Sequence, residues 1–464
     1  MSKSIDKSLS LFRDSVQDVV KSGKSILVTT HIDCDGLTSG AIMTKALMRQ
    51  QARCSVSAVK DFGPHQIAML KKSERDLHIV TDLGGGFASG MDEALADKWF
   101  VLDHHQIPEE EQDSPRVINA WKYGMDGGTD ICAGGMSYLA AKKMDEKNAD
   151  LSALAIVSAL GDRQDQGERR SLIGQNGKIA GTASDMGLVD IEQDLLLVGR
   201  ETRSLIDALA FTSQPFIEGL TWNRDQCYSL LKSAGIKLKD GNRWRVPAEL
   251  EDAEKRNIIE AIAKFTSNNS SGSSMEELIG YTYTFPREDR QSFLRDGREY
   301  STMLNSCGRI GKSGVGIAIC IGDRSRMPMI GQRVMSEYRT KIREIMNMLS
   351  SERWRVSPSA KYVMINGEGI VPETMTGTIC SLVAGSPKHS GKVAVLRTDG
   401  DSGMVKFSSR KSSECKTDVN LGDLMARGAE KFGGLGGGHS SAAGATISKS
   451  ELDEFLDYID ANVS

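Results

Sequence analysis

No stretch of this 464-residue chain is apolar for long enough to cross a bilayer, which excludes a helical membrane-spanning protein. Residues 1–23 also lack the continuous apolar core of a signal peptide. Leu9, Phe12, Val16, Val19 and Val20 instead fall at helical spacing, so a helix is expected there and secretion is not. The eight cysteines are scattered without a Cys-x-x-Cys pair, which argues against a zinc knuckle or a disulfide frame and fits reduced thiols in a cytoplasm. A formal net charge of −4 leaves no global basic footprint, so any nucleic acid must meet a local groove. No internal repeat is visible. Histidine is scarce, with seven in the chain, and four of these (His31, His104, His105 and His439) sit in the most distinctive stretches.

What is present in the first third is one repeated grammar. Ser25-Ile-Leu-Val-Thr-Thr30 reads as a buried strand and runs into His31-Ile-Asp-Cys-Asp-Gly36, after which Leu37 to Gln50 turns helical. Leu77 to Thr81 leads into Asp82-Leu-Gly-Gly-Gly86, and Lys98 to Leu102 leads into Asp103-His104-His105. An Ala-rich segment from Leu151 reads as a buried helix ending at Gly161, with Asp162 next. Alternating strand and helix signals predict a mostly parallel α/β sheet with helices on both faces. In such sheets ligands bind outside the carboxyl ends of the strands, where this grammar delivers its acids and histidines.

Two carboxylates two residues apart, as Asp33 and Asp35 are, repel one another unless a cation neutralises them. With Asp82, Asp162 and the histidines His31, His104, His105 and His439 they supply enough ligands for two divalent ions sharing a bridging carboxylate. A carboxylate-rich, thiolate-free set favours Mn²⁺, with Mg²⁺ or Co²⁺ as alternatives, over structural zinc. Two ions about 3.5–4 Å apart activate a water and stabilise a leaving oxygen. The plainer alternatives are a helix cap with a surface acid for the first motif and a turn aspartate for Asp82.

From about Asp190 to Pro286 the pattern changes to amphipathic helices of ordinary composition, with a Ser/Asn-rich loop expected over Thr266 to Ser274. Trp222, Trp244, Phe211, Phe216 and Leu220 in this segment read as helix-packing residues or as a docking surface. Asn305 to Asp323 is Gly-rich, Met327 to Ser351 reads as a long helix, and strands are expected at 361–365, 392–396 and 404–407. Gly311-Lys312-Ser313 imitates the end of a P-loop, but Ser306 stands where its first glycine belongs. The run Gly433 to Gly438 lacks the GxGxxG spacing of a dinucleotide fold.

His31-x-Asp33-x-Asp35-Gly36, Asp82, Asp103-His104-His105 and Gly161-Asp162 resemble, in order, the four motifs of the DHH phosphoesterases. Gly437-Gly-His439-Ser-Ser-Ala-Ala-Gly444 is similar to the glycine signature of the DHH-associated domain. Leu304-Asn-Ser-Cys-Gly-Arg309, Gly367 to Pro372 and Lys406 to Arg410 resemble substrate-binding segments of RecJ-type single-strand exonucleases. The resemblance implies His31, Asp33 and Asp82 on one metal, and Asp35, Asp82, His104 and Asp162 on the other. Asp103 would orient His104 and His105 would meet the scissile phosphate. Arg309, Arg410 and His439 would contact substrate phosphates, as would Asn305 and Ser409.

The implied architecture has a DHH domain over 1–190, a mostly helical insertion over 191–300, a Gly-rich segment with a connecting helix over 301–355, and a DHH-associated substrate domain over 356–464. The active-site cleft is expected between the first and last of these. The chain ends about twenty residues after the glycine signature, without the extra binding barrel of bacterial RecJ, so it resembles the compact archaeal RecJ-like proteins. The implied activity is hydrolysis of single-stranded DNA, or RNA, to mononucleotides in replication or repair, with 5′-to-3′ digestion ahead of the reverse and GINS as a partner. The alternatives are a phosphoesterase acting on short oligonucleotides or nucleoside bisphosphates, and a replication-fork scaffold without catalysis.

Overall fold

A computed structural model describes residues 4–111, 113–268, 275–359, 361–412 and 415–463. The chain divides into two compact units, Met1–Met335 and Ser336–Ser464. The first is built on β1 (Ser25–His31), β2 (Arg53–Val59), β3 (Leu77–Thr81), β4 (Trp99–Asp103) and β5 (Val117–Asn119), all parallel in the order β2-β1-β3-β4-β5. Every residue of β3 and β4 is buried, as expected of parallel strands covered on both faces. The helices α1 (Ile5–Lys21), α2 (Cys34–Arg49), α3 (Pro64–Lys72) and α4 (Ala88–Leu95) alternate with the strands, and α5 (Ala133–Met144), α6 (Ser152–Gly161) and α7 (Gly174–Asp185) follow.

Register decides where the chemistry lies. Thr30 pairs with Thr81, and Thr81 pairs with Leu102. The next residue on each strand path is therefore His31, Asp82 or Asp103, and the three emerge side by side at one end of the sheet.

At the opposite end of β3, His78 is buried, and among the described residues no group hydrogen-bonds to its Nδ1. Burial, with Arg75 and Lys98 nearby, lowers its pKa from the ordinary 6.5 to about 4. The folded state keeps this imidazole neutral while the unfolded chain protonates it, so stability is lost as pH falls from 6.5 towards 4. Each pH unit across that window costs about 1.4 kcal/mol. Urea unfolding at pH 7 and pH 4.5 should therefore show a smaller acid-induced loss for His78→Gln than for wild type. Equal losses would show that His78 is accommodated charged.

The segment expected to be helical is bounded by two strands. After β6 (Asp190–Leu195) come α8 (Leu205–Phe211), α9 (Arg224–Ser233), the short pair β7 (Lys239–Asp240) and β8 (Arg243–Trp244), and α10 (Asp252–Asn268); β9 (Ile279–Thr284) then pairs antiparallel with β6. The mostly polar sequence of β6 concealed it. Leu220 lies in the segment's own core with Leu209, Leu230 and Ile262, whereas Trp222 and Trp244 are exposed. The loop expected at Thr266 to Ser274 begins inside α10, and 269–274 lie outside the described residues.

The Gly-rich stretch is likewise helical, forming α11 (Gly297–Arg309) and α12 (Ser313–Ile321). Its glycines permit close packing: a Cβ on Gly308 would collide with the carbonyl oxygen of Ile32, and one on Gly316 would lie 3.0 Å from the Leu37 side chain.

Helix α13 (Met327–Ser351) carries the chain into the second unit, whose six strands are β10 (Val356–Pro358), β11 (Tyr362–Asn366), β12 (Val393–Asp399), β13 (Met404–Lys411), β14 (Leu435–His439) and β15 (Ala442–Ser448). Their order is β10-β11-β12-β13-β15-β14, and only the β11–β12 pair is parallel. Helices α14 (Thr376–Ala384), α15 (Leu421–Lys431) and α16 (Leu452–Asn462) complete the unit. The glycine run forms β14, where a Cβ on Gly436 would strike the Met425 carbonyl of α15. Among the described residues no helix is long and apolar enough to cross a membrane.

Candidate metal centre

Beyond the end of β1, Asp33 caps α2 by accepting the Gly36 N–H at 3.0 Å. His31 Nδ1 lies 3.0 Å from Asp33 Oδ2 and 3.5 Å from Asp82 Oδ2. Burial opposes the charged imidazole, but Asp33 and Asp82 outweigh it and raise the His31 pKa to about 10. Burial likewise opposes ionisation of Asp33, yet His31, the Gly36 amide and Arg309 hold its carboxyl well below the usual range.

Asp35, one helical position into α2, turns the other way. Its Oδ2 accepts the Ala133 N–H at 2.9 Å and its Oδ1 accepts the Gly134 N–H at 2.8 Å, both from the first turn of α5, and Ser158 Oγ also donates to Oδ1. Burial and the neighbouring Asp82 charge push the Asp35 pKa up. His104 Nε2 stands 3.3 Å from Asp35 Oδ2 and 3.3 Å from Asp82 Oδ1. His104 Nδ1 lies 2.5 Å from the Gly127 carbonyl, an acceptor that fixes the Nδ1–H tautomer. The Nε2 lone pair therefore faces two carboxylates, an arrangement that calls for a cation between them.

Asp82 is the centre of the arrangement. It is 1% exposed and adopts a left-handed backbone with φ +64°, a region that aspartate tolerates better than most side chains. Among the described residues neither of its carboxylate oxygens, nor His104 Nε2, has a hydrogen-bond partner, although all three atoms are buried. Buried polar atoms left unpaired are costly, and a divalent ion would satisfy them. His31, Asp33 and Asp82 form one group whose ligand atoms lie within 4.8 Å of one another, and Asp35, His104 and Asp162 form a second. Asp82 touches both, through Oδ2 to His31 and Oδ1 to His104. The donor set, carboxylates and imidazoles without a thiolate, fits hard divalent cations.

Asp103 does not hold the His104 ring, as the resemblance had implied. Its Oδ1 lies 2.8 Å from His105 Nδ1 and accepts the backbone N–H groups of His104 and His105, while its Oδ2 accepts the Gly85 N–H. The ring it orients is that of His105, which remains about half exposed beside Asp82.

The expected substrate contacts fall in two places. In the first unit α11 brings Arg309 near Asp33, and Asn305 Oδ1 accepts the Cys34 N–H at 3.0 Å, tying α11 to the start of α2. In the second unit Arg410 and His439 both register with Ala442, so they share a row across three strands. Arg410 packs over Ser381 and the Ser409 carbonyl. Ser409 does not join them: it is fully buried, its hydroxyl donates to the Ala443 carbonyl, and it offers nothing to a ligand.

The profile described as the DHH family, N-terminal domain, matches residues 25–160; the DHH-CID domain matches 197–279 and the DHHA1 domain 362–464. An uncharacterized protein of Methanocaldococcus jannaschii is 31% identical over 445 residues, covering 94% of this chain and 92% of that protein. The chain belongs to the DHH family. Within that family its fold is similar to that of Thermus thermophilus RecJ in complex with Mn²⁺ (TM-score 0.59, 15% identity, 98% of this chain), of which it spans about half (54%). It is also similar to an exonuclease RecJ bound to manganese (TM-score 0.56, 15% identity, 99% and 94% covered) and to CDC45 from Entamoeba histolytica (TM-score 0.64, 12% identity, 99% of both).

Several residues of this DHH centre carried no signal in the sequence. Ser158, within the Ala-rich helix α6, and Gly127, Gln164 and Asn176, from segments of ordinary composition, reach it only through tertiary packing. Gly127 is needed because a Cβ there would collide with the His104 carbonyl oxygen.

Proposed function

We propose that this DHH protein is a Mn²⁺-dependent exonuclease that removes mononucleotides from single-stranded DNA, or RNA, in DNA replication or repair. The observation that carries the reading is Asp82, a buried carboxylate with no hydrogen-bond donor, set between two groups of metal-ligating side chains. His31, Asp33 and Asp82 would hold one ion, and Asp35, Asp82, His104 and Asp162 the other. Bound there, divalent ions would acidify a water and neutralise charge on the phosphodiester. The chain's own residues do the rest. Asp103 fixes the ring of His105 so that its exposed edge meets the scissile phosphate. Arg309, Arg410 and His439 supply donors to phosphate oxygens, and Asn305 holds α11 in register with the metal-binding turn. RecJ proteins similar in fold were solved with Mn²⁺ and, for Thermus thermophilus RecJ, also with Mg²⁺, which supports a divalent ion.

The likeness to CDC45 favours a second reading, a non-catalytic scaffold. The complete ligand set argues for chemistry. One experiment separates the readings: digestion of a long single strand with Mn²⁺, labelled in turn at its 5′ and 3′ ends, as DNA and as RNA. Immediate release of labelled mononucleotide from one end is expected, 5′ ahead of 3′. Cleavage confined to two- to five-residue oligomers would replace this reading with a short-substrate phosphodiesterase. No cleavage of either substrate by protein that binds Mn²⁺ would leave the scaffold.

A further inference from the structure

We infer that Gln164 is a positioning residue that sets the affinity of one of the two ion sites, the one formed by Asp35, His104 and Asp162. The inference rests on the two-ion reading of the centre and not on any substrate. Gln164 is fully buried two residues after Asp162, at the exit of α6. Its Nε2 lies 2.8 Å from the Gly127 carbonyl and 2.8 Å from Asp162 Oδ2, both acceptors only. The amide end facing them must therefore be the NH₂. At the other end its Oε1 accepts from Asn176 Nδ2 at 2.6 Å, and Asn176 is itself buried in the first turn of α7. Donor and acceptor ends are both satisfied, so the amide has one stable orientation.

Two consequences meet at the metal centre. Gly127's carbonyl is the acceptor that fixes the tautomer of His104, and Gln164 holds that carbonyl in place from a second direction. Asp162 follows the last residue of α6 and its side chain is 29% exposed, so nothing in the helix restrains its rotamer. The bond from Gln164 holds Oδ2, which lies 3.8 Å from His104 Nδ1, and so fixes the carboxylate beside Asp35 and His104. Gln164 thus orients two ligands of one site through hydrogen bonds and makes no hydrogen bond or ion pair with His31 or Asp33. Groups that orient ligands in this way typically change metal affinity about 10- to 100-fold when removed.

The test is a Mn²⁺ titration of the full-length wild type, Gln164→Met and Asn176→Ala, followed by electron paramagnetic resonance alongside the thermal midpoint of the metal-free proteins. Methionine matches glutamine in length and leaves no large void. Expected for Gln164→Met is a loss of about tenfold or more in one binding step with the other unchanged. Mononuclear bound Mn²⁺ should then persist at concentrations where wild type shows the exchange-coupled pair. Asn176→Ala should move the same step by less. If both steps hold at wild-type values, Gln164 is filler and the inference fails. If both steps weaken together as the metal-free midpoint falls, its role is general packing and the inference also fails. Because no substrate enters the titration, a wild type that binds two Mn²⁺ yet digests no nucleic acid would end the exonuclease reading while the titration still decides Gln164.

Discussion

Asp82→Asn should abolish hydrolysis, by on the order of a thousandfold or more, while the protein stays folded. Asparagine is the informative replacement because it keeps the size of the side chain and tolerates the left-handed backbone, whereas alanine would add strain at φ +64°. It removes the one carboxylate that reaches both ligand groups and touches no core contact. The second readout is thermal. An ion held by the folded state alone stabilises it by about 2.7 kcal/mol at one hundred times its Kd. Wild type should therefore melt several degrees higher in saturating Mn²⁺ than in chelator, and Asp82→Asn should lose most of that difference. Full activity in the variant would overturn the bridging assignment, and an undiminished Mn²⁺ shift would place the ions elsewhere.

Gly308→Ala should be nearly as damaging, for a different reason. The added methyl group would overlap the carbonyl oxygen of Ile32, a backbone atom in the turn between His31 and Asp33. Neither partner can yield cheaply, since one belongs to a helix and the other to the metal-binding turn. The clash would push α11 away, breaking the bond from the Cys34 N–H to Asn305 and moving Arg309 from Asp33. Overpacking of this kind costs about 1–3 kcal/mol or more. A lower midpoint and a weakened Mn²⁺ step at the His31–Asp33 site are expected together. Normal stability and normal Mn²⁺ binding would show that the α11 contact is dispensable.

These cases also show what could be read before folding. The candidate ligands His31, Asp82, His104 and Asp162 stood out because an apolar run that stops abruptly at an acid or a histidine is conspicuous. A parallel sheet then stacks such stops at one end by register alone. Gly308 sits inside a resembling motif, but its role there is steric, and a glycine spaced for contact looks in sequence like a glycine in a loop. That is why 305–323 stood out only as Gly-rich, although it holds the end of α11 and all of α12. Ser158 acts through Asp35, 123 residues away, and Gly127 through His104, 23 residues away. Gln164 acts in part through Gly127, 37 residues away, and Asn176 reaches the centre through Gln164. Nothing local distinguishes these four from other polar or turn residues. Ser409 differs in the opposite sense: its segment resembles one that binds substrate in the family, while alternation along β13 buries its side chain. Strands β6 and β14 were missed because one is mostly polar and the other mostly glycine, so neither carries the apolar alternation by which strands are recognised.

The register that brings His31, Asp82 and Asp103 into line has an evolutionary corollary. These side chains belong to the rim of the sheet, and the hydrophobic interior beneath them is complete without their participation. A lineage released from selection at this rim can replace His31 and Asp82 without opening that interior, whereas Asp103, which accepts the Gly85, His104 and His105 N–H groups, also holds the rim's own backbone. A descendant recruited for the surface it presents would then keep the whole architecture and an emptied rim, and the two states would be separated by a handful of substitutions at strand ends.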